Sequence, residues 1–386
     1  MEKKLGRNVF LILIALTSLS LIGAGNLLAA NLYEGEQIQE AAGFTAITYF
    51  VKGNEDAPLI VFIPGAHHMA RVSYGGHEGY RPEDFLAHWL TAKGYNFLAV
   101  SYPIDIARGG MKTNHPDFMI RDWGAQAAAL ARKTIDENGL GERIIVLGWS
   151  MGGKCAQSVQ EAARNEKLNL DFYVSLAATP AIPGMIAITR EYPMLESGYA
   201  DRRKNFDGWW KQVASNNKKQ GREIVSEDIF KNEYQGDIPI NLQGYGQQYK
   251  DGAYVMDPLA AQADAKPFNF EDFPLVAMII PDGRADRRHA LVDKAAWSMY
   301  NANTIFKRYL SGNKVQVNDL SDAKWQSLLF VTRSIDERLY QTIDGNHFFF
   351  VGESGARATA DAVELLEDRV HGLKEELSVI LGVEIQ

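Results

Sequence analysis

The chain has 386 residues, of which 46% are hydrophobic and 23% are charged. These values lie near the globular average and exclude a wholly disordered chain, a collagen-like chain and a multi-span membrane protein. The formal net charge is -8 and the basic residues are dispersed, which argues against the clustered basic footprint of a nucleic-acid-binding protein. The single cysteine, Cys155, excludes an intramolecular disulfide and a cysteine-ligated metal cluster.

Residues 1–30 have the pattern of an export signal. Basic residues precede an almost wholly apolar segment, residues 9–22, and small residues follow it up to Ala30. This order is typical of a secretory signal peptide, and the apolar segment is shorter than the ~20 residues of a membrane-spanning helix. We expect cleavage after Ala30 and a periplasmic or secreted mature protein without stable membrane association. An uncleaved N-terminal membrane anchor is the alternative.

Beyond this segment, strand-like and helix-like stretches alternate. Short apolar stretches that end at turn residues predict buried strands, and apolar residues three or four apart predict amphipathic helices. In chain order the predicted elements are strands over 44–51 and 59–63, a helix over 82–93, a strand over 97–102, a helix over 117–138, a strand over 143–148, a helix over 150–166, a strand over 170–177 and, after a break, a strand over 273–280, a helix over 289–300, a strand over 337–343 and a helix over 356–381. The alternation predicts an α/β fold whose mainly parallel sheet carries helices on both faces.

The alternation stops in residues 180–272, where no clear strand is visible. This segment is too long for a plain connection. We therefore predict a largely helical cap inserted between two parts of the core, residues 31–179 and 273–386. Residues 301–334 are polar and predict an irregular segment. Aromatic residues of the cap are candidates for a lid: Trp209, Trp210, Tyr245 and Tyr249.

The strongest functional signal is the sequence GWSMG at residues 148–152. It directly follows a predicted buried strand and precedes a predicted helix, which is the strand–turn–helix setting of a nucleophile elbow. Such a tight turn needs small residues on both sides of the serine, and it lifts the hydroxyl to the carboxyl edge of the sheet. We therefore predict that Ser150 is a catalytic nucleophile. A glycine-rich turn without catalysis is the alternative.

A serine hydroxyl needs a general base, and the base needs an acid that fixes its tautomer. His347 is the best placed of the eight histidines, because it follows a predicted strand and a glycine turn just before the last helix. Two aspartates after the strand over 273–280 compete for the role of the acid. We favour Asp286, which a glycine turn can direct over the sheet edge, and Asp282 is the alternative. Asp344 is expected to shape the turn before His347.

The order Ser150, Asp286, His347 is that of the α/β-hydrolases, and the sequence resembles this superfamily. The matching segments are LIVFIPGA, VLGWSMGGK, MIIPDGRAD and TIDGNHFF, spread over residues 59–349. The resemblance implies an α/β-hydrolase fold and an esterase- or lipase-like serine hydrolase that needs no metal and no organic cofactor. It also implies an oxyanion hole made by the backbone N–H groups of Ala66 and Met151. A Pro-Gly pair stands where the family commonly has His-Gly.

Three side chains near the predicted nucleophile and base are candidates for lining a substrate pocket: His67, Trp149 and Phe348. Core packing explains each aromatic residue equally well. The spacing of His67, His68 and His77 matches no standard metal site, so we expect no metal there.

Together these features predict an exported serine hydrolase that cleaves a carboxylic ester, or a related acyl bond, of a small molecule through an acyl-enzyme intermediate. The alternatives are a catalytically silent scaffold of the same fold used for binding, and a peptidase or amidase with the same triad. No nucleic-acid partner is expected, and the sequence carries no information on the oligomeric state.

Overall fold

The computed structural model describes residues 32–185, 190–244 and 246–385. The predicted export signal, residues 1–30, and the candidate lid residue Tyr245 lie outside the described residues. No helix in the described ranges is both long enough and apolar enough to cross a membrane.

An eight-stranded sheet forms the centre of the fold. Its strands are β1 (Glu36–Ala41), β2 (Phe44–Val51), β3 (Leu59–Ile63), β4 (Asn96–Ser101), β5 (Arg143–Trp149), β6 (Asn169–Leu176), β7 (Val276–Pro281) and β8 (Tyr340–Ile343). They lie in the order β1-β2-β4-β3-β5-β6-β7-β8. β2 is antiparallel to both of its neighbours, and every pair from β4 to β8 is parallel. The mainly parallel sheet predicted from the sequence is confirmed.

The central strands are apolar because both faces of the sheet are covered. Every residue of β3 and β4 is buried. Successive side chains of a strand point to opposite faces, so burial of every position requires protein on both sides, as parallel sheets generally have. The helices that contact the strands of this sheet are α1 (Leu86–Ala92), α2 (Ile120–Asn138), α3 (Ala156–Asn165), α7 (Arg287–Thr304) and α10 (Glu353–Leu381). The other described helices are α4 (Phe206–Gln220), α5 (Glu227–Ile229), α6 (Pro258–Ala265), α8 (Asp322–Arg333) and α9 (Ile335–Arg338).

Strand β1 has no counterpart among the predicted elements. It forms a hairpin with β2 across a two-residue turn of Ala42 and Gly43, whose φ angles are +53° and +84°. A turn with two positive φ angles matches the twist of the adjoining strands. The sequence of β1, EQIQEA, is mostly polar, and an Ala-Gly turn lacks the Asn-Gly or Asp-Gly signal. Both facts explain why the sequence did not reveal this strand.

The prediction of an irregular segment over 301–334 is wrong. Helix α7 runs to Thr304, a π-helix continues over Ile305–Ser311, and α8 begins after Ser321. The Ser321 hydroxyl accepts a hydrogen bond from the backbone N–H of Lys324 at 3.3 Å, which is an N-cap. Only Leu328 and Val331 of α8 are buried, so its apolar stripe is too narrow to stand out in the sequence.

The insertion between β6 and β7 contains α4, α5 and α6, and it also contains a hairpin that the sequence analysis did not predict. Strands Gln247–Lys250 and Ala253–Met256 pair across Asp251 and Gly252, whose φ angles are +49° and +83°. Asp-Gly between two short strands is a strong hairpin signal, and it was present in the sequence. The insertion packs on the loop after β3, where the N–H of Gly236 donates to the carbonyl oxygen of His67 at 3.0 Å.

Candidate active site

The tight turn after β5 holds Ser150 in a strained conformation. Its φ angle is +54°, in the left-handed region that costs a non-glycine residue roughly 1–2 kcal/mol. A helical turn over Ser150–Cys155 then leads into α3. A Cβ on Gly148 would lie 1.9 Å from the Tyr173 hydroxyl oxygen, and one on Gly152 would lie 3.0 Å from the Ile63 carbonyl oxygen. Packing therefore requires glycine at position 148 and leaves little room for a side chain at position 152.

The loop after β3 also lies against the serine. A Cβ on Gly65 would stand 2.7 Å from Ser150 Cβ and 3.3 Å from Ser150 Oγ. The hydroxyl of Tyr102 donates a hydrogen bond to the carbonyl oxygen of Gly65 at 2.7 Å and holds the loop in place. Glycine at position 65 thus lets the loop backbone approach the serine hydroxyl directly.

His347 and Asp286 form a buried hydrogen-bonded pair. The distance from His347 Nδ1 to Asp286 Oδ2 is 2.8 Å, although the residues are 61 positions apart in sequence. Asp286 follows β7 at the start of α7, and His347 lies between β8 and α10. Burial opposes ionisation of the Asp286 carboxyl, but the adjacent His347 outweighs it and lowers the pKa of this group. A charged carboxylate is thereby held against the imidazole.

The two other aspartates considered for this role have different partners. Asp282 accepts a hydrogen bond from the backbone N–H of Gly345 at 3.2 Å. Asp344 is exposed and pairs with Lys219, with 2.5 Å between Oδ2 and Nζ. Both therefore shape or border the loop that carries His347, and neither bonds to its ring.

Side chains of the insertion help to position His347. The His347 backbone N–H donates to Gln212 Oε1 at 3.0 Å, and the Trp209 ring stacks on the imidazole at a centroid distance of 5.3 Å. From the core, the Trp149 indole N–H donates to the His347 carbonyl oxygen at 3.0 Å. Trp209 was a candidate lid residue, whereas nothing in the sequence singled out Gln212.

Two backbone N–H groups suit an oxyanion. Ala66 and Met151 both line the cavity that contains Ser150. Within the described ranges, the Ala66 N–H makes no hydrogen bond, and the Met151 N–H belongs to the first turn of a helical segment, where donors lack intrahelical acceptors. His68 Nδ1 lies 2.7 Å from the Ala66 carbonyl oxygen and anchors this peptide. Burial lowers the pKa of the His68 imidazole to about 3, so His68 holds the loop as a neutral donor.

A cavity of about 500 Å³ joins these groups. Ser150, His347 and Asp286 line it together with Ala66 and Met151. Among the described residues, Ser150 Oγ makes no hydrogen bond; in unliganded enzymes the bond from nucleophile to base is often long and tightens when substrate binds.

The three predicted substrate-contacting residues lie behind the cavity wall. His67, Trp149 and Phe348 are each 0% exposed, and none is among the described residues that line the cavity. His67 Nδ1 bonds to the Gly236 carbonyl oxygen at 3.0 Å, while the Trp149 and Phe348 rings pack against each other at 5.0 Å. The two aromatic residues therefore belong to the packed core, which was the alternative explanation for them. The turn directs Ser150 toward the cavity and its neighbour Trp149 toward the core.

A second histidine–aspartate pair lies beside the first and was not predicted. His289 Nδ1 and Asp293 Oδ2 are 2.7 Å apart on consecutive turns of α7. Thr179 donates its hydroxyl to Asp293 Oδ1 at 2.7 Å. The spacing i, i+4 on a helix was the only available signal, and it is common on ordinary helices.

Ligand atoms of Asp286, His289 and His347 lie within 4.8 Å of one another, which is close enough to hold a metal ion. In each pair, however, the histidine Nδ1 is bonded to its own carboxylate. A second such group, Asp171 with Glu367 and His371, belongs to an ion-pair network in which Lys374 Nζ lies 2.6 Å from Asp171 Oδ1.

A strained serine at the carboxyl edge of a parallel sheet, facing a cavity lined by a histidine–aspartate pair, defines the class of α/β-hydrolases. Residues 60–362, more than half of the chain, match the model of the Alpha/beta hydrolase family, and the chain therefore belongs to this family. Membership supports a hydrolase in general terms. No curated protein matches the chain.

The chain is similar to several solved structures. The thioesterase domain from the curacin biosynthetic pathway is 13% identical, covers 86% of this chain and 99% of its own, and has a TM-score of 0.40. An arylesterase is 13% identical over 86% of this chain and 83% of its own, with a TM-score of 0.40. A lipase-esterase related protein from Clostridium acetobutylicum ATCC 824 is 15% identical over 82% of this chain and 98% of its own, with a TM-score of 0.37.

Proposed function

We propose that this protein is a serine hydrolase that cleaves a carboxylic ester, or a related acyl bond, of a small molecule. The observation that carries the proposal is the convergence of three independent loops on one cavity. The turn after β5 brings Ser150, the loop after β8 brings His347 bonded to Asp286, and the loop after β3 brings the Ala66 N–H.

The proposed mechanism has two steps and uses only these groups. Ser150 Oγ attacks the acyl carbon while His347 Nε2 takes the hydroxyl proton, and Asp286 stabilises the imidazolium through Nδ1. The N–H groups of Ala66 and Met151 stabilise the tetrahedral oxyanion, each donor contributing roughly 3–4 kcal/mol to the barrier reduction. The leaving alcohol departs with the proton. Water activated by His347 then releases the acid and restores Ser150.

The test is labelling with a fluorophosphonate, which reacts covalently with an activated serine. The protein is incubated with the probe and its intact mass is measured, with Ser150→Ala as the matched control. We expect a single adduct that is absent from the control. The same preparation is then assayed with short-chain p-nitrophenyl esters and with the matching p-nitroanilides, which separates an esterase from an amidase.

Absence of any adduct on folded protein would overturn the proposal in favour of a silent scaffold used for binding. An adduct that persists in Ser150→Ala would assign the reactive serine to another position.

We also propose that residues 1–30 direct export and are removed after Ala30. The basic start, the short apolar segment and the small-residue exit support this proposal. Mass spectrometry of the protein recovered from the periplasm or medium of an expressing bacterium should give the mass of a chain that begins at Asn31. Recovery of the full-length chain in the membrane fraction would instead support the anchor.

A further inference from the structure

We propose that the cavity is built for an ester that carries an additional anionic group, so that the cationic side chains lining the cavity bind this group while the ester lies at the nucleophile. This inference rests on the proposed function and specifies its substrate class. The observation behind it is the composition of the cavity wall. Five cationic side chains line the same cavity as Ser150: Lys154, Arg190, Arg202, Lys204 and Arg288.

The described lining of the cavity contains few acidic side chains. Among the described residues that line the cavity, Asp286 is the only acid, and its carboxylate is bonded to His347. No carboxylate in the described ranges forms an ion pair with Arg190, Lys204 or Arg288. The whole chain has a net charge of -8. An excess of cations around one cavity is therefore the opposite of the overall charge of the protein.

The two buried cations, Lys154 and Arg202, are both held in place by Gln243. Lys154 lies one turn after Ser150, and its ammonium donates to the carbonyl oxygen of Gln243. Arg202 donates to the side-chain oxygen of the same glutamine, and its guanidinium lies 4.7 Å from the Tyr192 ring centroid. Both cations are 7% exposed. Such fixed, nearly dry donors bind an anion more strongly than surface cations do.

Lys154 lies among like charges in a buried position. Burial, together with the positive charges of Arg202 and Arg288, lowers the pKa of the Lys154 ammonium. An anion placed between these groups would remove the repulsion and would favour the charged ammonium.

The exposed cations, Arg190, Lys204 and Arg288, are the best positions for substitution, because they can be replaced without disturbing the core. Arg288 is exposed and lines the cavity, whereas its neighbour Arg287 is exposed and does not line it. Arg288→Gln and Arg287→Gln are therefore a matched pair that removes the same charge inside and outside the proposed subsite.

The first measurement compares kcat/KM for two p-nitrophenyl esters of equal chain length, the glutaryl ester with a terminal carboxylate and the pentanoyl ester with a terminal methyl group. We expect the glutaryl ester to be preferred by roughly 10-fold or more, the factor of one well-placed charged hydrogen bond. The preference should fall in Arg288→Gln and in Lys204→Gln and should persist in Arg287→Gln. A parallel pair, 4-carboxybenzyl and 4-methylbenzyl acetate, tests whether the anion belongs to the leaving group.

The second measurement does not depend on turnover. Glutarate and inorganic phosphate are titrated calorimetrically into Ser150→Ala, which reports the affinity for each anion. We expect one site whose affinity drops by roughly 10-fold when Arg288→Gln is added. The comparison of the two anions distinguishes a carboxylate-bearing ligand from a phosphorylated one.

These outcomes separate the inference from the proposed function. Equal use of charged and neutral esters by an active enzyme would overturn the anionic subsite and leave the hydrolase in place. An equal loss of activity on both esters in Arg288→Gln would assign the cation to general electrostatic stabilisation of the reaction. If the fluorophosphonate fails to label Ser150, the hydrolase proposal falls, and calorimetry alone then decides whether the cationic wall binds anions.

Discussion

The imidazole rings of His289 and His347 are stacked, with their centroids 5.0 Å apart and their planes inclined by 25°. Each ring is bonded through Nδ1 to its own aspartate, Asp293 for His289 and Asp286 for His347. The proposed base, His347, is therefore in contact with another ionisable side chain. It contacts a second ionisable pair that is buried in α7, and this arrangement leads to a pH-dependent prediction.

Stability should fall as the pH rises through the titration of His289. Burial opposes the imidazolium, but the adjacent Asp293 carboxylate outweighs it and raises the pKa of His289 above its ordinary value. The folded state therefore keeps the proton longer than the unfolded state does. The resulting stabilisation is complete below about pH 6.5, the unfolded value, and it is lost as the pH rises through the higher folded value.

Urea unfolding of wild type and His289→Gln between pH 6 and pH 9 tests whether this contribution to the free energy of unfolding decreases as the pH rises. At pH 6 the variant should lose on the order of 3 kcal/mol, because Asp293 is left buried without its cationic partner. The difference between the two proteins should shrink with increasing pH. A difference that is constant or grows with pH would contradict the assignment.

Replacing Ser150 by glycine should make the protein more stable than replacing it by alanine. The positive φ of +54° strains any side chain with a Cβ, and glycine removes that strain at a gain of about 1 kcal/mol relative to alanine. Both variants should lose fluorophosphonate labelling and nearly all turnover. Urea denaturation of the two variants measures the difference, and equal unfolding free energies would mean that the turn relaxes around alanine.

Asp286→Asn should reduce kcat far more than Asp282→Asn. An amide at position 286 no longer fixes the His347 tautomer, and the loss expected for such a change is roughly 10⁴-fold. Asp282 bonds only to a loop N–H, so its replacement should cost little. The kcat of each variant on one ester decides the order, and the reverse ranking would transfer the acid role to Asp282.

Gly65→Ala should reduce turnover without abolishing folding. The new methyl group would meet Ser150 Cβ at 2.7 Å and displace either the serine or the loop that carries the Ala66 N–H. Misplacement by about 1 Å can cost on the order of 10²-fold in rate. Gly141→Ala is the control, because no atom lies within 4 Å of a Cβ built there. A normal rate in Gly65→Ala would mean that the loop can move to accommodate the methyl group without displacing the reacting groups.

Much of the core was predictable because its signals are local. Strand β3 coincides with the predicted strand over 59–63, since a fully buried parallel strand must be apolar at every position. The turn at Ser150 was equally predictable, because its geometry favours small residues two positions before and two positions after the serine, at Gly148 and Gly152. The cap was less predictable. Its Gln247–Met256 hairpin has strands of only four residues each, the first of them mostly polar, so its Asp-Gly turn was the main signal for it.

By itself, the sequence determined the parallel sheet, the strained serine and the approximate positions of the histidine and the acid, because strand burial and turn sterics act over a few neighbouring residues. Only the tertiary structure decided that His347 bonds to Asp286 and that His289 stacks beside it. It also decided that cations from the helical turn after Ser150, from α7 and from the insertion line one cavity. These relationships join residues far apart in the chain, and side-chain geometry across packed elements fixes them rather than any local pattern.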